Sequence, residues 1–514
     1  MPPTHRNVLF IICHDSGPYF GCYGDRWART PHIDRLALTS LRFDHHYCHM
    51  PLCGPSRATI FTGCRPATTQ RFDNLRFFPD YRERTGFATL PELLARHGYA
   101  TRSVGQVMHG SEEDAPSWTA GQWHPPPLDP LPDWATARGL GAASFNHYRE
   151  QESFDLMQER VASLEGRGVD PHVEVKRWRG PAVEAGRPAP LAHSPYPEEA
   201  TTESAVASLG ELSARGSPFF LGVGYDSGHL PLCAPAAYFD LHRHHGEGRG
   251  RRPAQAELPV GAPPFAVPHS EPSQYYTMDL YDKPWRHTEQ QGQELIQGHY
   301  AAISYFDAQV GRLLDALDAT GAADNTVVVL TTDHGFSLGE HAHFGKKTHY
   351  ELDLRVPLLI RAPGRRSTTP AAAATAALTE HVDLYPTICE LCSVSAPDQL
   401  EGRSNVPLLA DPALPGKRAV FAEIPIASGD IALGTAGDAT RDTPARPTGH
   451  HGYSARTERH RYVRYEDRDG ITAEELYDLQ ADPNESRNLA GDPSYADRKR
   501  EIEELLDRGW RAAG

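Results

Sequence analysis

Asn7-Val8-Leu9-Phe10-Ile11-Ile12-Cys13 runs straight into His14-Asp15-Ser16-Gly17-Pro18, an apolar segment ending in a polar turn. A short apolar run bounded by turn formers reads as a strand buried on both faces, as in parallel sheets. The same grammar returns twice. Pro218-Phe-Phe-Leu-Gly-Val-Gly224 leads into Tyr225-Asp226-Ser227-Gly228-His229, and Thr326-Val-Val-Val-Leu330 leads into Thr331-Thr332-Asp333-His334-Gly335. Three apolar strands thus deliver polar and ionisable side chains at their carboxyl ends, where open α/β sheets bind ligands.

Helical periodicity fills the intervals: Thr89–His97 carries Leu90, Leu93 and Leu94 on one face, and Tyr300–Leu317 carries Ile303, Phe306, Val310, Leu313, Leu314 and Leu317. Strands alternating with helices predict an α/β fold. Ala115–Pro197 and His242–Pro272 are dense in Pro, Gly and Ala and read as loops, either solvated or forming part of a pocket wall. A composition shift at Asp411-Pro-Ala-Leu-Pro-Gly416 separates an expected catalytic domain, residues 1–410, from a smaller α+β domain, residues 411–514. There, Tyr453–Tyr465 alternates like one exposed antiparallel strand, Glu474-Glu-Leu-Tyr-Asp-Leu479 follows, and Ala496–Ala513 reads as a terminal amphipathic helix.

Of 514 residues, 39% are hydrophobic and 23% charged, enough to build a core and too few charges for disorder. The balance of 51 Lys+Arg against 67 Asp+Glu, with no basic block, argues against non-specific nucleic-acid binding. No apolar run approaches the roughly 20 residues that span a bilayer, so no membrane partner is expected. The apolar stretch near Met1 has strand length and lacks the pattern of a signal peptide, which makes the cytoplasm the expected location. Eight cysteines in a chain of this length are too sparse for a disulfide scaffold.

The most specific segment is Cys53-Gly54-Pro55-Ser56-Arg57-Ala-Thr-Ile-Phe-Thr62-Gly63. Its C-x-P-S-R-x4-T-G pattern resembles the type I, formylglycine-dependent sulfatases of the alkaline-phosphatase superfamily. Gly21-Cys-Tyr-Gly-Asp25, Thr30-Pro-His-Ile-Asp34, Ser103–His109, Asp333–His341, Gly345–Thr348, Asp383–Pro386 and Glu475–Leu479 extend the resemblance, which is closest to iduronate-2-sulfatase-like members. It implies a large, mostly parallel central sheet flanked by helices, plus a smaller C-terminal α+β domain with an antiparallel sheet. It also implies that a formylglycine-generating enzyme, reading Cys53, Pro55 and Arg57, oxidises Cys53.

Cleaving a sulfate ester needs a nucleophile, a cation to polarise the ester oxygens and an acid for the leaving alkoxide. By resemblance, His14, Asp15, Asp333 and His334 are the metal ligands, and position 53 adds an oxygen as hydrated formylglycine. That hydroxyl would attack sulfur, His229 would protonate the leaving alcohol with help from Lys346, and His109 would assist deprotonation of the second hydroxyl as sulfate departs. Arg57 would hold the nucleophile and its neighbouring oxygens by charge-assisted bonds. The implied substrate is an O-sulfate ester, of a sugar or another small alkyl or aryl alcohol.

Three positions depart from the family pattern. His14 replaces the first aspartate of an Asp-Asp pair, Gln106 replaces the lysine of a Lys-x-x-His element, and Ser227 replaces a lysine two residues before His229. The family resemblance implies one divalent cation, Ca2+; two imidazoles and two carboxylates make a softer set, better suited to Mn2+, Zn2+ or Fe2+. Loss of two lysines favours a less highly charged ester and raises a second expectation, a formylglycine-dependent phosphonate monoester or phosphodiester hydrolase. A third is an inactive sulfatase-fold binding protein.

Other features have plainer expectations. Cys389-Glu-Leu-Cys392 reads as two buried structural cysteines in a helix. His45-His46 and His242, His244 and His245 read as surface or pocket-lining histidines rather than metal ligands. Arg71-Phe72-Asp73-Asn74 reads either as a substrate-pocket wall or as a surface loop.

Overall fold

A computed structural model describes residues 5–74, 78–109, 114–124, 183–186, 196–243, 250–268, 288–363, 373–427 and 449–513. The central sheet contains β1 (Asn7–Cys13), β2 (Leu41–Tyr47), β3 (Ala100–Gly105), β4 (Gln122–Trp123), β5 (Phe219–Gly224), β6 (Thr326–Thr332), β7 (Arg355–Arg361), β8 (Ala374–Thr375) and β9 (Thr379–Glu380). Its order is β8-β2-β7-β6-β1-β5-β3-β4, with β9 also pairing to β2. Among the described strands of this sheet, only β7 runs against its neighbours; the other pairings are parallel, as the apolar strands predict.

Alternation along β1 explains why both faces are covered. Val8, Phe10 and Ile12 pack with Ile60 and Phe61 of α1 (Cys53–Thr62) and with Leu384 and Ile388 further along the chain. Leu9, Ile11 and Cys13 point the other way. They join Leu209 and Leu212 of α2 (Pro197–Ala214) and Ile303, Phe306 and Val310 of α3 (Glu289–Ala319). Each such side chain contributes roughly 1.5–3 kcal/mol through burial, so the sheet centre is a rigid base for the loops at its ends. α3 begins upstream of the expected Tyr300 because Thr288 and Gln291 form a reciprocal cap at Glu289. The Cys389–Cys392 pair falls at the end of α4 (Leu384–Leu391), with both thiols buried.

Much of Ala115–Pro197 lies outside the described residues, as do His244 and His245. The described parts are not all loop. Gln122–Trp123 adds an edge strand beside β3, and Val183–Gly186 pairs with Leu232–Pro235, so backbone pairing overrides the Pro- and Gly-rich composition there.

A second sheet follows, built from β10 (Ala419–Ala427), β11 (Gly449–Thr457), β12 (His460–Asp467) and β13 (Gly470–Asp478), each antiparallel to the next. The expected single strand over Tyr453–Tyr465 is instead a hairpin turning at Glu458-Arg459, with Tyr453 opposite Arg464. No Gly, Asn or Pro marks that turn, so the two arms read as one. Nor is it exposed. Tyr462 packs with Ile502 of α5 (Ala496–Arg508), while Val463 and Tyr465 pack against Ala266. α5 stops at Gly509, where φ is 72°, short of the expected Ala513.

Candidate active site

Adjacent strands in register release their loops at one level of the sheet. Ile12 pairs with Gly224, Gly105 with Gly224, and Cys13 with Thr332. His14-Asp15, Gln106–His109, Asp226–His229 and Asp333-His334 therefore leave the sheet side by side. The approach is tight: a Cβ on Gly228, whose φ is 98°, would lie 2.2 Å from the His14 carbonyl oxygen. Asp15 itself sits at φ 47°, a strained value for a residue with a side chain and one often found at functional sites.

α1 brings the remaining groups. Cys53 stands in its first turn and Arg57 one turn later on the same side. Cys53 Sγ lies 3.3 Å from His334 Nε2, 3.7 Å from Asp15 Oδ1 and 3.5 Å from Lys346 Nζ. Lys346 donates to both Asp15 oxygens, at 2.9 and 2.7 Å. Arg57 is fully buried; its Nε donates to Asp333 Oδ2 at 3.0 Å and its Nη1 to the carbonyls of Gln106 and of Val107, the latter at 2.9 Å. Its hydrogen bonds thus hold Asp333 and the 106–107 loop, and its influence on Cys53 is electrostatic.

The donor set suits a cation. One ligand atom from each of His14, Asp15, Cys53 and Asp333 falls within 4.8 Å of the others, and all four residues are buried. His334 Nε2 lies 3.1 Å from Asp15 Oδ1 and 3.8 Å from Asp333 Oδ1, so it borders the same cluster. Burial holds His14 and His334 below the ordinary histidine value, which leaves neutral imidazoles. Burial alone raises the Asp333 carboxyl, but the polar groups around it, with the buried Arg57 guanidinium hydrogen-bonded to Oδ2, outweigh it and keep the group well below the usual carboxylate range. Neutral imidazole and ionised carboxylate are the forms that bind metal. His14 Nδ1 lies 3.1 Å from Asp333 Oδ2, and His14 Nε2 makes no hydrogen bond.

Beside this cluster opens a cavity of about 310 Å³, lined by His14, Gln106, His109, His229 and Asn74 among others. His229 Nδ1 lies 2.6 Å from the Leu230 carbonyl oxygen, and its ring stands edge-on to His14 with centroids 5.5 Å apart. His109 is held at about 3 by burial, with Arg71 and Arg57 adding to the effect; its Nδ1 is buried without a hydrogen bond. Asn74 Oδ1 accepts the Gly54 N–H at 2.8 Å, and Arg71 is buried beside Gly54, so this stretch is pocket wall rather than surface loop.

Ser227 donates to Glu198 Oε1 at 3.1 Å, and Glu198 also lines the cavity. No sequence signal singled out Glu198, because it precedes its partner by nearly thirty residues and opens an unremarkable helix. His381 was likewise unread: it joins His46 Nε2 (3.0 Å) to the Asp333 carbonyl (3.0 Å), bracing the Asp333 backbone. His46 is therefore an interior histidine rather than a surface or pocket-lining one, and His242 is another, buried against Ser304 at 2.8 Å. Tertiary hydrogen bonds decide both positions.

Fold and site together define a hydrolase of the alkaline-phosphatase kind. The family model for sulfatases matches residues 6–394, and the chain belongs to the sulfatase family. Human iduronate 2-sulfatase is 28% identical across 96% of this chain and 92% of its own length. An enzyme solved in complex with its substrate D-glucosamine-2-N,6-O-disulfate superposes with a TM-score of 0.69 at 21% identity, covering 98% of this chain and 97% of that one. The phosphonate monoester hydrolase of Agrobacterium radiobacter gives 0.72 at 23% identity, covering 99% and 95%. The protein is a sulfuric ester hydrolase of a family that generally uses formylglycine and a metal ion.

Proposed function

We propose that this enzyme releases sulfate from a sulfated saccharide or a comparable small sulfate ester, using formylglycine made from Cys53. The observation that carries this is the position of Cys53, buried at the head of α1 among His14, Asp15, Asp333, His334 and Lys346. Burial holds its unmodified thiol well above the ordinary value, with Lys346 only partly offsetting this. A neutral thiol is a weak nucleophile, which favours the modified residue. Hydrated formylglycine supplies one hydroxyl to attack sulfur and a second whose deprotonation expels sulfate. His14, Asp15, Asp333 and His334 would hold a divalent cation, whose chemistry is to polarise the ester oxygens and acidify the attacking hydroxyl.

The protein's own groups do the rest. Lys346, hydrogen-bonded to Asp15, presents its charge beside position 53, where negative charge develops. The Leu230 carbonyl holds His229 Nδ1–H, and we assign Nε2 to the leaving-group proton. His109, neutral at physiological pH, accepts a hydrogen bond from the second hydroxyl. Arg57 fixes Asp333 and the loop that carries His109. We place the enzyme in the cytoplasm, a reading supported by eight cysteines that no disulfide joins.

A phosphonate or phosphodiester ester is the second reading, favoured by the absence of Lys and Arg from the described residues lining the cavity. Release of sulfate and of phosphorus products from matched aryl esters separates the two. Faster sulfate release is expected; faster phosphorus-ester turnover would reverse the assignment.

A further inference from the structure

The apolar stripe of α3 ends in a histidine. Ile303, Phe306, Val310 and Leu313 pack against β1 and β6, and His299 takes the next position on that face, one turn upstream of Ile303. There the stripe meets the loop that follows β1 instead of the sheet: His299 Nε2 lies 3.0 Å from the Asp15 carbonyl oxygen. His299 is fully buried. Phe336 stacks on its ring with centroids 5.8 Å apart, and Tyr19 stands edge-on at 5.3 Å. The Tyr19 hydroxyl donates to the Phe336 carbonyl at 2.7 Å, so these two rings hold the imidazole plane between them. A carbonyl oxygen only accepts, so Nε2 carries the proton; Nδ1, buried without a hydrogen bond, is the bare lone pair.

Asp15 is a residue whose backbone needs holding. Its φ of 47° is left-handed, a conformation that a residue with a side chain keeps only where its surroundings over-determine it. Two hydrogen bonds contribute: the Asp15 N–H donates to Asp333 Oδ1 at 3.1 Å, and the Asp15 carbonyl accepts from His299. The turn they fix aims the carboxylate at Lys346 and position 53. The Asp333 carbonyl is met in the same way by His381 Nε2, at 3.0 Å, from a different part of the chain. We propose that His299 is a positioning residue for the cation site: its Nε2–H holds the left-handed backbone of Asp15 and so presets that carboxylate for the metal and for Lys346. The inference rests on the hydrolase reading above and adds to it a residue that acts only through Asp15.

The test reads Mn2+ affinity by calorimetry on chelator-treated, full-length protein, with sulfate release measured separately. His299→Phe keeps a ring between Tyr19 and Phe336 and removes the donor. It should weaken Mn2+ binding by about tenfold to a hundredfold, the usual cost of losing a bond that orients a metal ligand. His299→Gln, whose amide nitrogen reaches the Nε2 position, should recover most of that loss. His299→Asn, whose amide stops near the Nδ1 position, should not recover it, and is the second variant should His299→Phe fail to fold. At limiting Mn2+, kcat should fall in the same order while KM for the ester stays unchanged. A merely structural role would lower the melting temperature of the metal-free variants and leave Mn2+ affinity alone. Parent-like affinity in His299→Phe or His299→Asn, an equal loss in His299→Gln, or no Mn2+ binding by the parent overturns the proposal. The expected affinity order with no sulfate release by the parent would instead sink the hydrolase reading and leave this role of His299 standing.

Discussion

Lys346 Nζ sits 2.7 Å from one carboxylate oxygen of Asp15 and 2.9 Å from the other, a buried pair in which one cation spans both oxygens. The same nitrogen lies 3.5 Å from Cys53 Sγ, so a single side chain joins an expected metal ligand to the nucleophile position. Its loop is anchored by the second sheet. His349 Nδ1 lies 3.0 Å from Ser454 Oγ, Tyr350 donates to Glu475 at 3.1 Å, and Glu351 receives Arg461.

Lys346→Met should therefore lower kcat about a hundredfold, the usual scale for losing one preorganised positive donor. It should also destabilise the protein, because the buried Asp15 carboxylate loses the cation that spans both its oxygens. Steady-state kinetics and urea denaturation read the two effects. Activity within a fewfold of the parent would remove Lys346 from the chemistry.

Cys53→Ser should release at most one equivalent of alcohol and then stall, because a lone hydroxyl lacks the second oxygen that expels sulfate. Rapid-quench measurement of alcohol against enzyme concentration checks this. Sustained turnover would contradict the geminal-diol route.

His14 and His334 contribute neutral imidazoles beside Asp15 and Asp333. Protein purified without chelator should carry Mn2+, Zn2+ or Fe2+, and loading the cation should raise its melting temperature. Elemental analysis showing only calcium or magnesium would contradict the softer-ligand argument.

Glu351 makes acid stability testable. Burial pushes its carboxyl up, but Arg456, Arg461 and Arg355 win and hold it at about 2 against an ordinary 4.5. A depressed carboxyl stabilises the fold fully above its unfolded value, and that contribution is lost as pH falls from about 4.5 through 2. The shift corresponds to roughly 3 kcal/mol at most. Glu351→Gln should lose part of its stability at pH 6 and show a flatter decline toward pH 3. An unchanged acid profile would show that Glu351 makes no such contribution.

The parts of the site that depend on local order were readable in the chain. Strands such as Asn7–Cys13 and Thr326–Thr332 announce themselves by unbroken apolar residues, and the ionisable groups follow each at once. Contacts between distant segments were not readable. Arg57 reaching the Gln106 carbonyl, His381 bracing Asp333, and Glu198 accepting a hydrogen bond from the Ser227 hydroxyl each join segments that composition does not link. The hairpin at Glu458-Arg459 was missed for a different reason, since charged residues made a turn that glycine or asparagine usually signals.

The central claim is that position 53 is a formylglycine, and peptide mass spectrometry of the tryptic fragment containing it is the most direct measurement. Protein matured with a formylglycine-generating enzyme should give a fragment about 18 Da lighter than the cysteine form, the change expected for thiol to aldehyde. A fragment at the unmodified cysteine mass, from protein that still releases sulfate, would contradict it.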